Sequence, residues 1–289
     1  MAMQAIEPAS SATVPGLLPL LNPAALLANL WRHRDLVRQF TVRYFVSRHR
    51  GTFLGAWWGL LLPLLMLAVY SFVFNTIFTA RWGQTPNERL AEFPVVLFCG
   101  MVVYGVFSET AARAVGLVVG NPNFVKKVVF PLEILPVASL GAALLFAGLS
   151  MVLVVAGNAV FLHRFPVTLL LFPLILLPLV AISLGLAWFL ASLGVFIRDM
   201  ENIVIVLIQQ VLFFMTPIFY RTENLPPGLQ RVIMLNPLAV IVENARRTVI
   251  WGTLPDWWDL GWCAVVSLAL MQLGYAWFMS TKRGFADVL

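Results

Sequence analysis

Three histidines, two cysteines and thirteen acidic side chains are the groups in this 289-residue chain that could hold a metal or do acid–base work. Their spacing suits neither task. His33, His49 and His163 are scattered, with no HExxH pair, so a zinc hydrolase site and a nucleophile–histidine triad are both unsupported. Cys99 and Cys263 each fall inside an apolar run, which argues against a disulfide framework or a metal cluster. A phosphate-cradling loop needs a glycine-rich turn ending in Gly-Lys. The only lysines are Lys126, Lys127 and Lys282, and none follows glycine. No residue is therefore assigned to catalysis, metal or cofactor, and the chain does not bind and hydrolyse ATP through a loop of that kind.

The polar groups that remain are set among apolar residues. Glu109 stands one helical turn before Arg113, the spacing of an ion pair more than of a buried proton relay. Asn75, Asn158, Gln209, Gln210 and Gln272 could line a path or hydrogen-bond between helices. These groups need long apolar elements to hold them. The chain is 61% hydrophobic and 11% charged, with a mean hydropathy of +0.89, more apolar surface than one soluble core of this length could bury. Its solvent must be a bilayer, and the expected fold is all-α and polytopic.

A spanning helix needs about 20 mostly apolar residues. Six runs qualify, at about 57–78, 93–110, 132–162, 166–196, 203–219 and 260–279. Pro136, Pro173 and Pro178 suggest kinks in the third and fourth. The net charge of +6 resides mostly in the short connectors, so it points to membrane topology before nucleic acid. Twelve of the 19 Lys and Arg residues, including all three lysines, lie on the side of both termini, which places both termini in the cytoplasm. Residues 1–30 lack a basic segment ahead of their apolar part and are interrupted by Pro15, Pro19 and Pro23; they read as a loose leader. Residues 31–52 read as an amphipathic interface helix. Leu36, Val37, Phe40 and Tyr44 share a face turned to acyl chains, Arg38, Arg43, Arg48 and Arg50 meet headgroups, and Val42 and Val46 break the division. Residues 53–289 read as the six-span membrane domain. Between the fifth and sixth runs, residues 221–259 contain repeated Pro and Gly breakers and two short apolar stretches, the pattern of helices that dip into the membrane or lie on its outer face. There Glu243 can pair with Arg246 and Arg247, and Trp251, Trp257, Trp258 and Trp262 mark the outer interface.

The connector after the second run reads NPNFVKKVVFPLEILP. Pro122 fits the first turn of a short helix that Pro131 closes within the segment 121–131. Lys126 and Lys127 need be no more than a topology signal, but Phe124, Val125, Val128 and Val129 give this solvated connector a compact apolar face that suits a protein partner.

Together with that connector, RYFVSRHRGTFLGAWWGLLLPLLMLAVYSFVFNTIFTARWG, IRDMENI, LNPLAVIVENARR and the terminal GFADVL resemble the membrane subunits of bacterial ABC exporters for cell-surface polysaccharides. The pattern is similar above all to O-antigen exporters, with capsule and teichoic-acid exporters as relatives. The resemblance implies two permease copies, two copies of a separate ATPase, and a channel between the permeases for a lipid-linked polymer in the inner membrane. It implies that Asn121, Asn123, Phe124, Val125, Lys126 and Lys127 dock on the ATPase beside Arg198 and Asp199. It further implies an aromatic channel lining, for which Tyr70, Phe74, Tyr104, Phe107, Phe213 and Phe214 are the candidates. A membrane glycosyltransferase is disfavoured by the missing acidic or histidine cluster, and an ion-coupled carrier by the lack of mid-span ionisable groups. An exporter of a drug or small lipid stays open.

Overall fold

The computed structural model of the protein describes residues 22–47, 58–73, 92–126 and 130–289, and all regular structure among them is helical. In chain order the helices are α1 (Pro23–Arg32), α2 (Arg34–Ser47), α3 (Trp58–Ser71), α4 (Glu92–Ala114), α5 (Gly116–Val119) and α6 (Pro122–Lys126). They continue as α7 (Ile134–Gly157), α8 (Phe172–Phe196), α9 (Met200–Met215), α10 (Pro227–Met234), α11 (Pro237–Arg246), α12 (Trp257–Thr281) and α13 (Phe285–Val288).

Four of these helical stretches are long and apolar enough to cross a bilayer: α4, α7 continued by a π-helical turn to Leu162, α8 with its preceding 3-10 turn from Val167, and α12 with its continuation to Val288. The first and fifth expected spans correspond to shorter apolar helices. The sixteen residues of α9 rise about 24 Å against a hydrocarbon core of about 30 Å. It stops because Thr216 turns to extended backbone just before Pro217. The α3 region is flanked on both sides by residues outside the described set, where Arg48, Arg50, Phe74 and Asn75 lie.

The helix ends follow from capping chemistry. Pro23 does not break a leader. It is the first residue of α1, capped by Asn22, whose Oδ1 accepts from the Ala24 amide at 3.0 Å. Residues 23–30, expected as part of the loose leader, are therefore an ordered helix whose Leu26 is fully buried; residues 1–21 lie outside the described set. Asn236 and Asp256 cap α11 and α12 in the same way. Pro173 sits in the first turn of α8 and Pro136 in that of α7, where donors have no intrahelical acceptor in any case, whereas Pro178 is interior to α8.

The tightest seam joins α8 to α12. A Cβ built on Gly274 would lie 2.0 Å from the Gly185 carbonyl oxygen, and one on Gly185 would lie 2.5 Å from that of Leu270. Only glycine lets these backbones approach so closely, the small-residue mode by which helices pack when lipid removes any hydrophobic drive between them. Around this seam α4 and α7 complete the bundle. Helix α11 turns back among α4, α8 and α12, with Leu238 through Val242 all buried.

Helix α2 departs from its expected setting. Its apolar face docks on α7 and not on acyl chains: Thr41 meets Gly141, where a Cβ would lie 2.8 Å from the Thr41 hydroxyl, and Phe45 stacks on Phe146 at 4.5 Å. The small Gly141 makes the groove that accepts it. Val42 and Val46, out of register with that face, are exposed together with Arg38 and Arg43.

Candidate functional site

The short helix α6 lies at the end of the bundle that also carries α1 and the C-terminal α13, which we call the basal end. Asn121 opens it, its side-chain amide donating to the Leu117 carbonyl at 2.9 Å. Phe124 turns inward: its ring stacks on Phe130 at 4.5 Å and meets Phe40 of α2 edge-on at 5.7 Å. Phe130 also touches Phe40 at 5.4 Å, and the Arg43 guanidinium covers the Phe40 ring at 5.6 Å. This aromatic knot fastens α6 to α2. Val125 is half-buried beside it, which leaves Pro122, Asn123 and Lys126 as the exposed residues of α6. Lys127, Val128 and Val129 lie outside the described residues. Arg198 and Asp199 are exposed on the turn after α8. The fully buried Phe285 of α13 joins these parts, packing on Phe196 at 5.9 Å and Phe278 at 5.5 Å while α13 also touches α6.

Just past α6, before the start of α7, sits a buried polar node that spacing alone did not reveal. The Glu133 carboxylate, 5% exposed, accepts from Lys282 at 2.7 Å and from the Asn29 amide at 3.0 Å. Asn29 also donates to the Tyr275 hydroxyl at 3.1 Å, and the Trp188 indole donates to the Glu133 main-chain carbonyl at 2.9 Å. Burial pushes the Glu133 pKa up, but the hydrogen bond and charge of Lys282, with Asn29, outweigh it and hold the carboxyl below its ordinary value.

The aromatic candidates for a path occupy different settings. Tyr104 and Phe107 are buried within the protomer, 2% and 3% exposed, and the Tyr104 hydroxyl donates to the Ile208 carbonyl. That bond pins the π-helical stretch of α9 to α4. Phe213 is half-buried against Tyr104 at 5.3 Å, whereas Phe214 is 66% exposed. Tyr70 is half-buried and lines a cavity of about 250 Å³ with Trp58, Phe98, Phe146 and Glu109. Glu109 and Arg113 form the i,i+4 ion pair, at 3.1 Å. Of the intramembrane amides, Asn158 is buried and donates to the Val249 carbonyl, a bond between elements. Gln209 and Gln210 are different: both are exposed on α9, roughly 14 Å along the helix from its start.

At the opposite end Arg246 is fully buried. Its three nitrogens donate to the carbonyls of Val96 at 3.2 Å, Pro217 at 2.6 Å and Ile218 at 2.7 Å, and it pairs with Glu243 at 3.6 Å. Gly100 leaves room for the guanidinium; a Cβ there would lie 2.6 Å from Nη2. Pro217 and Ile218 belong to the break that ends α9. The arginine thus satisfies carbonyls that no helix satisfies, in a setting where an unsatisfied carbonyl is costly. The spacing suggested only a neutralised pair with Glu243. An arginine closing the apolar-rich run PLAVIVENAR, next to a proline-broken span, is the available signal.

The description of the ABC-2 type transporter family matches residues 35–250. The chain belongs to that family. Among similar proteins is the O-antigen export system permease protein RfbA of Myxococcus xanthus, 27% identical over 91% of this chain and 98% of that protein. The RfbA of Klebsiella pneumoniae is 26% identical over 88% of this chain and 95% of its own length. The polysialic acid transport protein KpsM of Escherichia coli is 22% identical over 80% and 87% respectively.

For an ABC-2 transporter subunit the arrangement separates two kinds of surface. Exposed Asn123, Lys126, Arg198 and Asp199 give the basal end a polar face on a rigid aromatic base. The exposed side of α9 combines carboxamides with Phe214. Among the described residues no group of three or more His, Cys, Asp or Glu could hold a metal.

Proposed function

We propose that this chain is the permease of an ATP-driven exporter that moves a lipid-linked polysaccharide of the O-antigen type across the bacterial inner membrane. It works as a homodimer with two copies of a separate ATPase, which binds ATP and magnesium. The observation that carries the channel in this reading is the exposure of Gln209 and Gln210. Two carboxamides near mid-depth of the bilayer, turned to lipid, would each lose their hydrogen bonds to water without replacement. A second copy facing α9 removes that cost and leaves a path where amides and the Phe214 ring meet sugar hydroxyls and sugar faces. In this arrangement α3 and α9 complete six spans, both termini are cytoplasmic, and α11 is re-entrant from the outer side.

The basal face is the ATPase contact. Asn121, Asn123 and Lys126 with Arg198 and Asp199 present the docking surface, and Phe124 is its joint to α2, whose Arg38 and Arg43 lie at the headgroups. The similarity to the two RfbA permeases and to KpsM supports a polysaccharide cargo.

The test is reconstitution of the permease with its ATPase in proteoliposomes carrying lipid-linked polysaccharide. ATP-dependent polymer movement is expected, and Gln209→Leu with Gln210→Leu lowers it while the complex still assembles. No association with the ATPase, or no ATP-dependent movement by the native complex, overturns the reading. A small-amphiphile cargo is favoured by one observation, 25% identity over 86% of this chain to the daunorubicin resistance permease DrrB1 of Streptomyces coeruleorubidus. ATP-dependent drug movement without polymer movement in the same vesicles would select it.

A further inference from the structure

We propose that Glu133 is the positioning residue that joins the α6 connector to α1, α8 and α12, so that these elements move as one lever. The proposal rests on the permease reading above. Glu133 follows Lys126 by seven residues and immediately precedes α7, so a displacement of α6 reaches it along the chain before it reaches a span. Three other elements at the basal end are each tied to Glu133 by a different group. Asn29 brings α1 to its carboxylate, Lys282 brings the end of α12, and the Trp188 indole brings α8 to its main-chain carbonyl.

The tie is built for position more than for stability. A buried ion pair recovers little more than its own desolvation cost, and an apolar replacement of similar shape often serves a fold as well. A buried carboxylate that accepts from two separate elements does fix the geometry of both, because leaving either donor unpaired is expensive. Trp188 adds a directional contact by packing edge-on against Tyr275 at 5.1 Å. The Gly185–Gly274 crossing then extends the rigid unit along α8 and α12.

The elements outside this unit follow from the same geometry. Helix α9 begins on the far side of the exposed Arg198–Asp199 turn, is wound as a π-helix through its middle, and exposes Ile205, Val206, Leu207 and Val211. Helix α3 exposes Leu61, Leu64, Leu65 and Met66. A lever fastened at Glu133 therefore moves against α9 and α3, whose faces the second copy covers in the dimer.

The experiment compares the full permease–ATPase complex carrying native permease, Glu133→Gln, Lys282→Met, or the reversed pair Glu133→Lys with Lys282→Glu. Proteoliposomes report both ATP hydrolysis and polymer exported. A lever role predicts that the single variants retain hydrolysis within about two-fold while export per ATP falls about five-fold or more, and that the reversed pair recovers much of the ratio. Native export per ATP in both single variants overturns the proposal. So does loss of hydrolysis, assembly and export in equal proportion, because a merely structural role produces that result. A native complex with no ATP-driven export overturns the permease reading and this proposal with it.

Discussion

Replacing Arg246 by methionine tests whether a single buried guanidinium holds the chain break between α9 and α11. Methionine matches much of the arginine stem in volume but donates nothing, so the change isolates the hydrogen bonds. Three carbonyls, those of Val96, Pro217 and Ile218, lose their charged donor, and Glu243 loses its partner. A hydrogen bond to a charged group contributes roughly 1.5–3 kcal/mol, and breaking a buried ion pair by removing one partner costs roughly 3–5 kcal/mol. These terms overlap and do not add, so about 3–5 kcal/mol is expected for Arg246→Met. Gly100→Ala perturbs the same site from the opposite side, through a Cβ 2.6 Å from Nη2. Because the three carbonyls hold the guanidinium in place, the alanine costs about 1–3 kcal/mol of overpacking. The assay is denaturant unfolding of the purified protein in detergent, followed by tryptophan fluorescence. Trp251 and Trp262 follow the segment on elements that pack against α11, and they report it. If Arg246→Met costs under about 1 kcal/mol, the guanidinium does not hold the break and the reasoning fails.

At the α8–α12 seam, Gly274→Ala must push two helix backbones apart and is expected to cost about 2–3 kcal/mol, whereas Gly261→Ala on the same helix meets nothing within 4 Å and should gain up to about 1 kcal/mol; unfolding of the two variants side by side checks it. Glu133 predicts a pH dependence. Because its folded pKa is depressed, its contribution is complete above the ordinary carboxylate value of 4.5 and is lost as the pH falls through the folded value. The difference in midpoint between the native protein and Glu133→Gln should therefore be constant above that pH and close below it. Tyr104→Phe removes the bond to Ile208 while keeping the ring against Phe213, so hydrogen exchange across α9 should accelerate with little change in α4.

What the sequence made legible follows the range over which each physical signal acts. The four long spans were legible because hydropathy is summed over some twenty residues, and an error at one position does not erase the sum. The end of α9 was placed late, at 219, because Pro217, Ile218 and Phe219 are as apolar as a span although their backbone has already left the helix. Arg246, about thirty residues on, supplies the donors for the Pro217 and Ile218 carbonyls. The α1 start depends on a local pair: Pro23 alone looks like a breaker, but with Asn22 before it the two form a helix cap.

The apolar residues of α6 show where amphipathic reasoning stops. Phe124 in a solvated connector does signal a partner surface, but periodicity cannot say whether that surface belongs to another chain or to this one. Phe40 and Phe130 supply it from within, at 5.7 and 4.5 Å. That outcome changes how force would enter the protein. A flexible loop that docks through its own phenylalanine could absorb a push by bending. A helix whose phenylalanine is locked onto Phe40 of α2 and onto Phe130 would instead pass the push to α2. If Asn123 and Lys126 make the contact proposed above, the stiffness behind them comes from the aromatic knot, and α2 adjoins α7 through the Thr41–Gly141 and Phe45–Phe146 contacts.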